Sequence, residues 1–422
     1  MIHLLTPGAI AAWMLLVTAA SAAPPETSAV FDRVAASILQ IRVVEQGSSA
    51  KAVIGSGFIA GPNGEMVTNY HVISKLVFDP SRYRAEVVRR DGSAAPLQLR
   101  AIDVVHDVAL VSGPADLGPP LPLADAAIAQ GTRLYALGYP HDLGLSIVEG
   151  TFNGYLDHTL YQKIHFTGSI NPGMSGGPTI TAAGEVVGIN VSTAGNQVSF
   201  LVPAARARAL LGEIAPPADQ PPTDWLDVVR RQLLASQDAY FASLLEQPLA
   251  TEAIAQFTLP GRIAPFVKCW GDAERDKEQR YELVNQSCST DDYLFLSGDQ
   301  LSGILQYQHR VLTSDELNPF QFFTLYGQYF ANNGGFFFGS EDKLTRFRCE
   351  TRAVENAGTI MKAVFCLRGY RKLPGVYDAV VKAAVLGPVG AGAETSLTLS
   401  GVSFENARRL AGRYLEAITW TR

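Results

Sequence analysis

Residues 171–178 read Asn-Pro-Gly-Met-Ser-Gly-Gly-Pro, one serine set among glycines and prolines. Gly, Pro, Asn and Ser build tight turns, because they supply positive φ, fix φ or hydrogen-bond their own backbone. The same composition serves a nucleophile. Glycines on either side of Ser175 let the backbone turn two N–H groups toward one point, where they can meet a developing oxyanion. A turn serine needs no partner, whereas a nucleophile needs a base and a group that orients the base. The rest of the chain therefore decides how Ser175 is read.

The chain holds seven histidines. His71 lies in Val-Thr-Asn-Tyr-His-Val-Ile (67–73), shortly after Gly-Ser-Gly-Phe-Ile-Ala-Gly (55–61), a glycine-bracketed strand. His106 and Asp107 interrupt the apolar run Val-Val-His-Asp-Val-Ala-Leu-Val (104–111). A carboxylate in such a run demands a donor, since a buried charge without a partner is costly, and an imidazole N–H would serve. His106 competes with His71 as the base, but in a strand it points to the face opposite Asp107 and is expected at the surface or behind the site.

His71, Asp107 and Ser175 follow the chain order of the chymotrypsin fold, unlike that of subtilisins or α/β-hydrolases. Gly-Ser-Gly-Phe-Ile-Ala-Gly through His71, His-Asp-Val-Ala-Leu-Val, Leu-Tyr-Ala-Leu-Gly-Tyr-Pro-His-Asp (134–142) and the stretch from Ile170 to Thr193 occur in that order. Together they resemble the signature segments of trypsin-like serine peptidases, most of all the HtrA/Deg type of exported bacterial proteases. The resemblance covers roughly residues 30–213, about half the chain. It implies that Ser175 attacks a peptide carbonyl, that His71 carries the proton and that Asp107 orients and steadies the imidazole. It also implies an oxyanion hole at Gly173, Met174 and Ser175, and a pocket for the residue before the scissile bond (P1) lined by Ser169, Asn190, Val191 and Ser192. Ser169 is uncharged, so a small or apolar P1 residue is expected. Methionine at 174 departs from the pattern, which has Asn or Asp there. The loop must then be held by packing or be switchable, and a catalytically silent, protease-like binding scaffold is the alternative function. The PDZ domain that commonly follows in this type is not recognisable here.

Short strand-like runs separated by turn signals fill residues 30–205 and argue for an all-β pair of barrels. Residues 203–214 look helical, and the proline-rich stretch 214–223 reads as a linker. Residues 224–422 begin with a long amphipathic helix and end with another at 403–418, with β-like sequence between, so an α+β domain is expected. The domain organisation is thus a leader over 1–22, a protease domain over 27–213, the linker, and a C-terminal domain over 224–422. Aromatic residues between Tyr293 and Phe338 are dense and are expected in the core.

The cysteines, Cys269, Cys288, Cys349 and Cys366, all lie in the second half. They lack metal-ligand spacing, so neither metal nor cofactor is implied. Three connectivities are open to two disulfides, and the sequential pairing is the expectation. The chain has 422 residues, 47% of them hydrophobic and 18% charged, with a net charge of −6. That composition is globular and offers nucleic acid no basic surface. An apolar run over residues 9–20, shorter than the ~20 residues of a membrane span, precedes Ala20-Ser21-Ala22 and reads as a leader cleaved before Ala23. Export to the periplasm or medium follows, without stable membrane insertion. Protein or peptide substrates are the expected partners, and a homo-oligomer is open.

Overall fold

The computed structural model describes residues 26–125, 127–213, 224–274, 280–332, 338–387 and 389–420. The expected leader and linker lie outside them. After helix α1 (Glu26–Val34), strands β1 (Ile38–Glu45), β2 (Lys51–Ile59) and β3 (Glu65–Thr68) are followed by helix α2 (Tyr70–Phe78), then β4 (Tyr83–Val88), β5 (Ala94–Asp103) and β6 (Val108–Ser112). These six strands close into a barrel in the order β1-β2-β3-β6-β5-β4. Strands β7 (Arg133–Gly138), β8 (Ser146–Tyr155), β9 (Ile164–Phe166), β10 (Pro178–Ile180), β11 (Val186–Thr193) and β12 (Ser199–Pro203) close a second, ordered β10-β11-β12-β9-β8-β7. Burial alternates along β5, as a strand with one face inward requires. The expected all-β double barrel is present.

Three apolar clusters hold the barrels. Ile41, Val43, Met66 and Val87 fill the first barrel, and Leu134, Phe152, Phe166 and Leu201 the second. Ile38, Phe58, Leu110, Leu137 and Ile189 form the layer between, capped by Val30 and Val34 of α1 and by Ala207 and Leu210 of helix α3 (Ala204–Gly212). Helix α2 was not legible in the sequence. It is buried almost all round, through Tyr70, Val72, Ile73, Val77 and Phe78, so its apolar run carries no clear helical stripe.

The C-terminal region opens with helix α4 (Trp225–Leu244), the long helix expected from the apolar spacing, and strands β13 (Thr251–Ile254) and β14 (Phe257–Pro260). It continues through β15 (Lys268–Glu274), β16 (Glu282–Ser289), β17 (Leu294–Ser297), β18 (Gln300–Ser302), β19 (Leu305–Thr313) and helix α5 (Pro319–Asn332). Strands β20 (Arg348–Asn356), β21 (Thr359–Gly369), β22 (Tyr377–Val385) and β23 (Ala391–Val402) precede helix α6 (Phe404–Glu416) and β24 (Thr419–Trp420). Seven strands form one antiparallel sheet ordered β15-β16-β19-β23-β22-β21-β20. Helices α4 and α6 cover one face through Phe241, Leu410 and Tyr414. Helix α5 covers part of the other through Phe322 and Tyr326. Central strand β23 is consequently buried along its whole length.

The cysteines pair sequentially, Cys269 with Cys288 (Sγ–Sγ 2.05 Å) and Cys349 with Cys366 (2.01 Å). Each pair sits directly across two adjacent antiparallel strands, β15–β16 and β20–β21. The aromatic set divides. Tyr307, Phe322 and Tyr326 are core, but Phe320 is 82% and Tyr293 55% exposed, which corrects the expectation that the whole set is interior.

The apolar core does not stop at the linker. Val229 and Leu233 of α4, Leu294 and Leu296 of the β17–β18 hairpin, and Tyr370, Leu373 and Val376 all join the first barrel's cluster. Each fully buried aliphatic side chain is worth roughly 1.5–3 kcal/mol relative to exposure, so the two halves are firmly joined.

Candidate active site

His71 opens the first turn of α2, and Asp107 ends the turn between β5 and β6. The imidazole Nδ1 lies 2.6 Å from Asp107 Oδ2, and the His71 backbone N–H donates to Oδ1 at 2.8 Å. Asp107 takes φ 56°, the left-handed region that non-glycine residues rarely enter. Asn69, at the N-cap position of α2, leaves the helix uncapped and donates through Nδ2 to Asp107 O at 2.7 Å. That bond pins the unusual backbone and aims the carboxylate at the imidazole. Burial pushes the His71 pKa down, but the charge of Asp107 and its hydrogen bond outweigh this, and the net direction is up. The carboxylate thus favours an imidazolium.

His106 does not compete for Asp107. Residues 104–107 form a turn, so the strand alternation expected there does not apply, and His106 Nδ1 lies 2.7 Å from Asp103 Oδ2 instead.

The loop that carries Ser175 is tied through its carbonyls. Asn171 O accepts from Met174 N at 3.0 Å and Pro172 O from His141 N at 2.9 Å. Gly173 O accepts from Ser56 Oγ at 2.7 Å. Met174 O accepts from Gly177 N at 3.0 Å and from Asn190 Nδ2 at 3.3 Å, and Ser175 O accepts from Ser56 N at 2.8 Å. All five carbonyls from 171 to 175 are therefore engaged. Among the described residues the N–H groups of Gly173 and Ser175 have no acceptor, while that of Met174 closes the turn onto Asn171 O. Met174 accordingly drops out of the expected three oxyanion donors.

Two glycines are dictated by this packing. Gly173 has φ 96°, and a Cβ there would strike Tyr139 O. Gly176 has φ 84°, and a Cβ there would strike Ser56 O, Thr68 Oγ1 and the amide of Asn69. Gly176 is thereby packed against Asn69, two residues before His71. The Met174 side chain is fully buried among Leu134, Ala136, Ile170, Val187 and Leu201, so packing does hold the loop.

Asn190 is not a pocket wall. It is fully buried, accepts from Thr179 Oγ1 at 2.6 Å, donates to Leu137 O at 2.9 Å, and braces the serine loop from behind. Val191 and Ser192 do line a cleft of about 590 Å³ together with His71 and Asp107. Ser169 is exposed and is not among the residues lining that cleft. Ser192 and Thr193 pair with β12 on one side, whereas β10 reaches only as far as Ile189 on the other, leaving an open strand edge on the cleft.

Residues 55–189 match the family model described as "Trypsin-like peptidase domain". This stretch is similar to a trypsin-like peptidase domain. Serine protease HTRA1 of Xenopus tropicalis is 30% identical over 172 residues, 38% of this chain and 36% of that protein. Putative serine protease HhoA of Synechocystis is 33% identical over 181 residues, 38% of this chain and 43% of its own length. The chain thus spans less than half the length of these relatives. A solved structure, the serine endoprotease from Yersinia pestis, aligns at 24% identity and a TM-score of 0.39, covering 46% of this chain and 67% of that one.

Two features around the site are not legible in the sequence. Ser56 holds both Gly173 O and Ser175 O, and its only local signal was the pair of glycines around it. Phe295, from the C-terminal region, lies edge-on to His71 with ring centroids 5.8 Å apart, and nothing local in the sequence links the two.

Proposed function

We propose that this chain is an exported serine endopeptidase in which Ser175, His71 and Asp107 form the catalytic triad. What supports the reading is the serine loop, whose engaged carbonyls leave the Gly173 and Ser175 N–H groups without an acceptor among the described residues, together with the His71–Asp107 pair. In the first step Ser175 Oγ adds to the scissile carbonyl while His71 Nε2 takes its proton. The oxyanion is met by the two free N–H groups, each worth roughly 3–4 kcal/mol of barrier. The imidazolium, stabilised by Asp107, then protonates the leaving amine as the C–N bond breaks. Water, deprotonated by His71, adds to the acyl-enzyme and the acid product leaves as Ser175 recovers its proton.

An extended substrate would pair with the open edge of β11 at Val191–Thr193. The carboxylates near the cleft are already committed, Asp107 to His71 and Asp291 to Lys268. Nothing there would offset the desolvation of Lys or Arg, so P1 is small or apolar. The buried Met174 gives the serine loop the support a working oxyanion hole needs, which favours catalysis over a silent scaffold. Two disulfides fit an oxidising compartment, and no helix among the described residues is long and apolar enough to cross a membrane. Peptide libraries varied at P1 test the specificity. Cleavage after Ala, Val or Leu that vanishes in Ser175→Ala is expected, and a tenfold preference for Arg would contradict the pocket assigned here.

A further inference from the structure

The second half of the chain reaches into the cleft. Asp292, only 4% exposed, accepts from Leu160 N at 2.8 Å and pairs with Lys163 at 2.9 Å on the second barrel. Four residues on, Leu296 O accepts from Tyr70 OH of the first barrel at 3.0 Å. The segment 292–296 is therefore fastened to both barrels, and between its two anchors it presents Tyr293 and Phe295. Phe295 lies against the imidazole of His71, and Tyr293, 55% exposed, stands beside it along the same cleft. The same cleft is lined by the open edge of β11, Val191–Thr193.

Resting on the endopeptidase reading above, we infer that the C-terminal domain is part of the substrate site, with Phe295 and Tyr293 forming an apolar subsite. That subsite takes the second residue on the acyl side of the scissile bond (P2). The placement follows from the chemistry. The imidazole must reach both Ser175 Oγ and the leaving nitrogen, so a ring packed against the imidazole flanks the peptide next to the reacting carbonyl. A chain paired with β11 extends from that carbonyl along residues 191–193, and successive side chains of an extended strand point to opposite sides. The P1 side chain turns into the second barrel, and the next turns toward His71 and Phe295. The subsite is apolar on its aromatic side, and the neighbouring charges, Lys163 and Asp291, are held by Asp292 and Lys268. It therefore takes Leu, Val, Phe or Pro and rejects Asp, Glu and Lys.

The test uses the full mature chain and a peptide library with P1 fixed as Ala and P2 varied, alongside labelling of Ser175 by a small fluorophosphonate. The wild type is expected to favour apolar over charged P2 residues by tenfold or more in kcat/KM, chiefly through KM. Phe295→Ala should bring that ratio below threefold, Phe295→Leu should restore most of it, and Tyr293→Ala, at an exposed position, should lower it in part. Ser175 in each variant should still react with the small probe, which shows that the protein is folded and its nucleophile active. If the P2 ratio persists in Phe295→Ala and Tyr293→Ala while Ser175 is labelled, the subsite assignment is wrong and the endopeptidase reading stands. If folded wild type is not labelled at Ser175, the endopeptidase reading falls, and this inference falls with it.

Discussion

At the scale of single residues, the site depends on carbonyls held in place as much as on the groups that react. Ser56 is fully buried, and its hydroxyl donates to Gly173 O while accepting from Tyr139 N at 2.9 Å. Ser56→Ala releases Gly173 O, the carbonyl between the two proposed oxyanion donors, so the loop that sets their mutual alignment loosens. The expected result is a fall in kcat of roughly ten- to a hundredfold with little change in KM, approaching the loss of a donor outright. Steady-state kinetics check it, and a change confined to KM would contradict it. Asp107→Asn removes both influences that raise the His71 pKa and leaves burial, which lowers it. NMR titration should show His71 titrating above the usual imidazole value near 6.5 in the wild type and below the wild-type value in the variant, with turnover down roughly 10⁴-fold. In the wild type, activity is lost as pH falls through the raised pKa, because a protonated imidazole cannot act as base. The stability conferred by the pair runs the other way, complete below pH 6.5 and lost as pH rises through the folded-state pKa. His71, Asp107 and Ser175 stand out in the sequence because their order and neighbours are distinctive. Ser56 and Asn190 could not, because their partners lie far along the chain and a serine between glycines, or an asparagine in a strand, has many ordinary uses.

At the scale of elements, barrel strands with strong apolar runs, such as β1 and β7, are legible in the sequence, whereas β8 is not. Strand β8 is half-buried along most of its length, so it carries neither an apolar run nor a clean alternation. The β17–β18 hairpin illustrates a different limit. Its sequence marks a turn, but its destination is set by Asp292, whose carboxylate finds Lys163 and two backbone N–H groups on the second barrel. Asp292→Ala leaves those groups without their acceptor, and the expected cost is roughly 3 kcal/mol, the lower end for breaking a buried pair. Chemical denaturation would read this as a lower midpoint at the same slope. A shift below about 0.5 kcal/mol, typical of surface substitutions, would show that the anchor is dispensable.

At the scale of the whole molecule, the two halves share one apolar core and a cleft, an arrangement that composition and periodicity cannot reveal because they describe each half alone. The large sheet carries its own titrating groups. Burial raises the Glu394 pKa to about 7 against the pull of Arg310, and burial lowers that of His309 to about 4. A raised carboxyl contributes stability below its unfolded pKa, near 4.5, and loses it as pH rises through about 7. The depressed histidine contributes above pH 6.5 and loses stability as pH falls toward 4. The two trends oppose each other in the acidic range. Glu394→Gln should therefore gain in melting temperature relative to the wild type as pH rises from 4.5 to 7, and a constant difference across that range would refute the assignment. The measurement that bears most directly on the account as a whole is fluorophosphonate labelling of the mature protein, located by mass spectrometry, beside His71→Ala and Ser175→Ala. The account predicts a single phosphonylated site at Ser175, formed in the wild type and lost in both variants. A folded wild-type protein that stays unmodified, or labelling at Ser175 undiminished by His71→Ala, would contradict it.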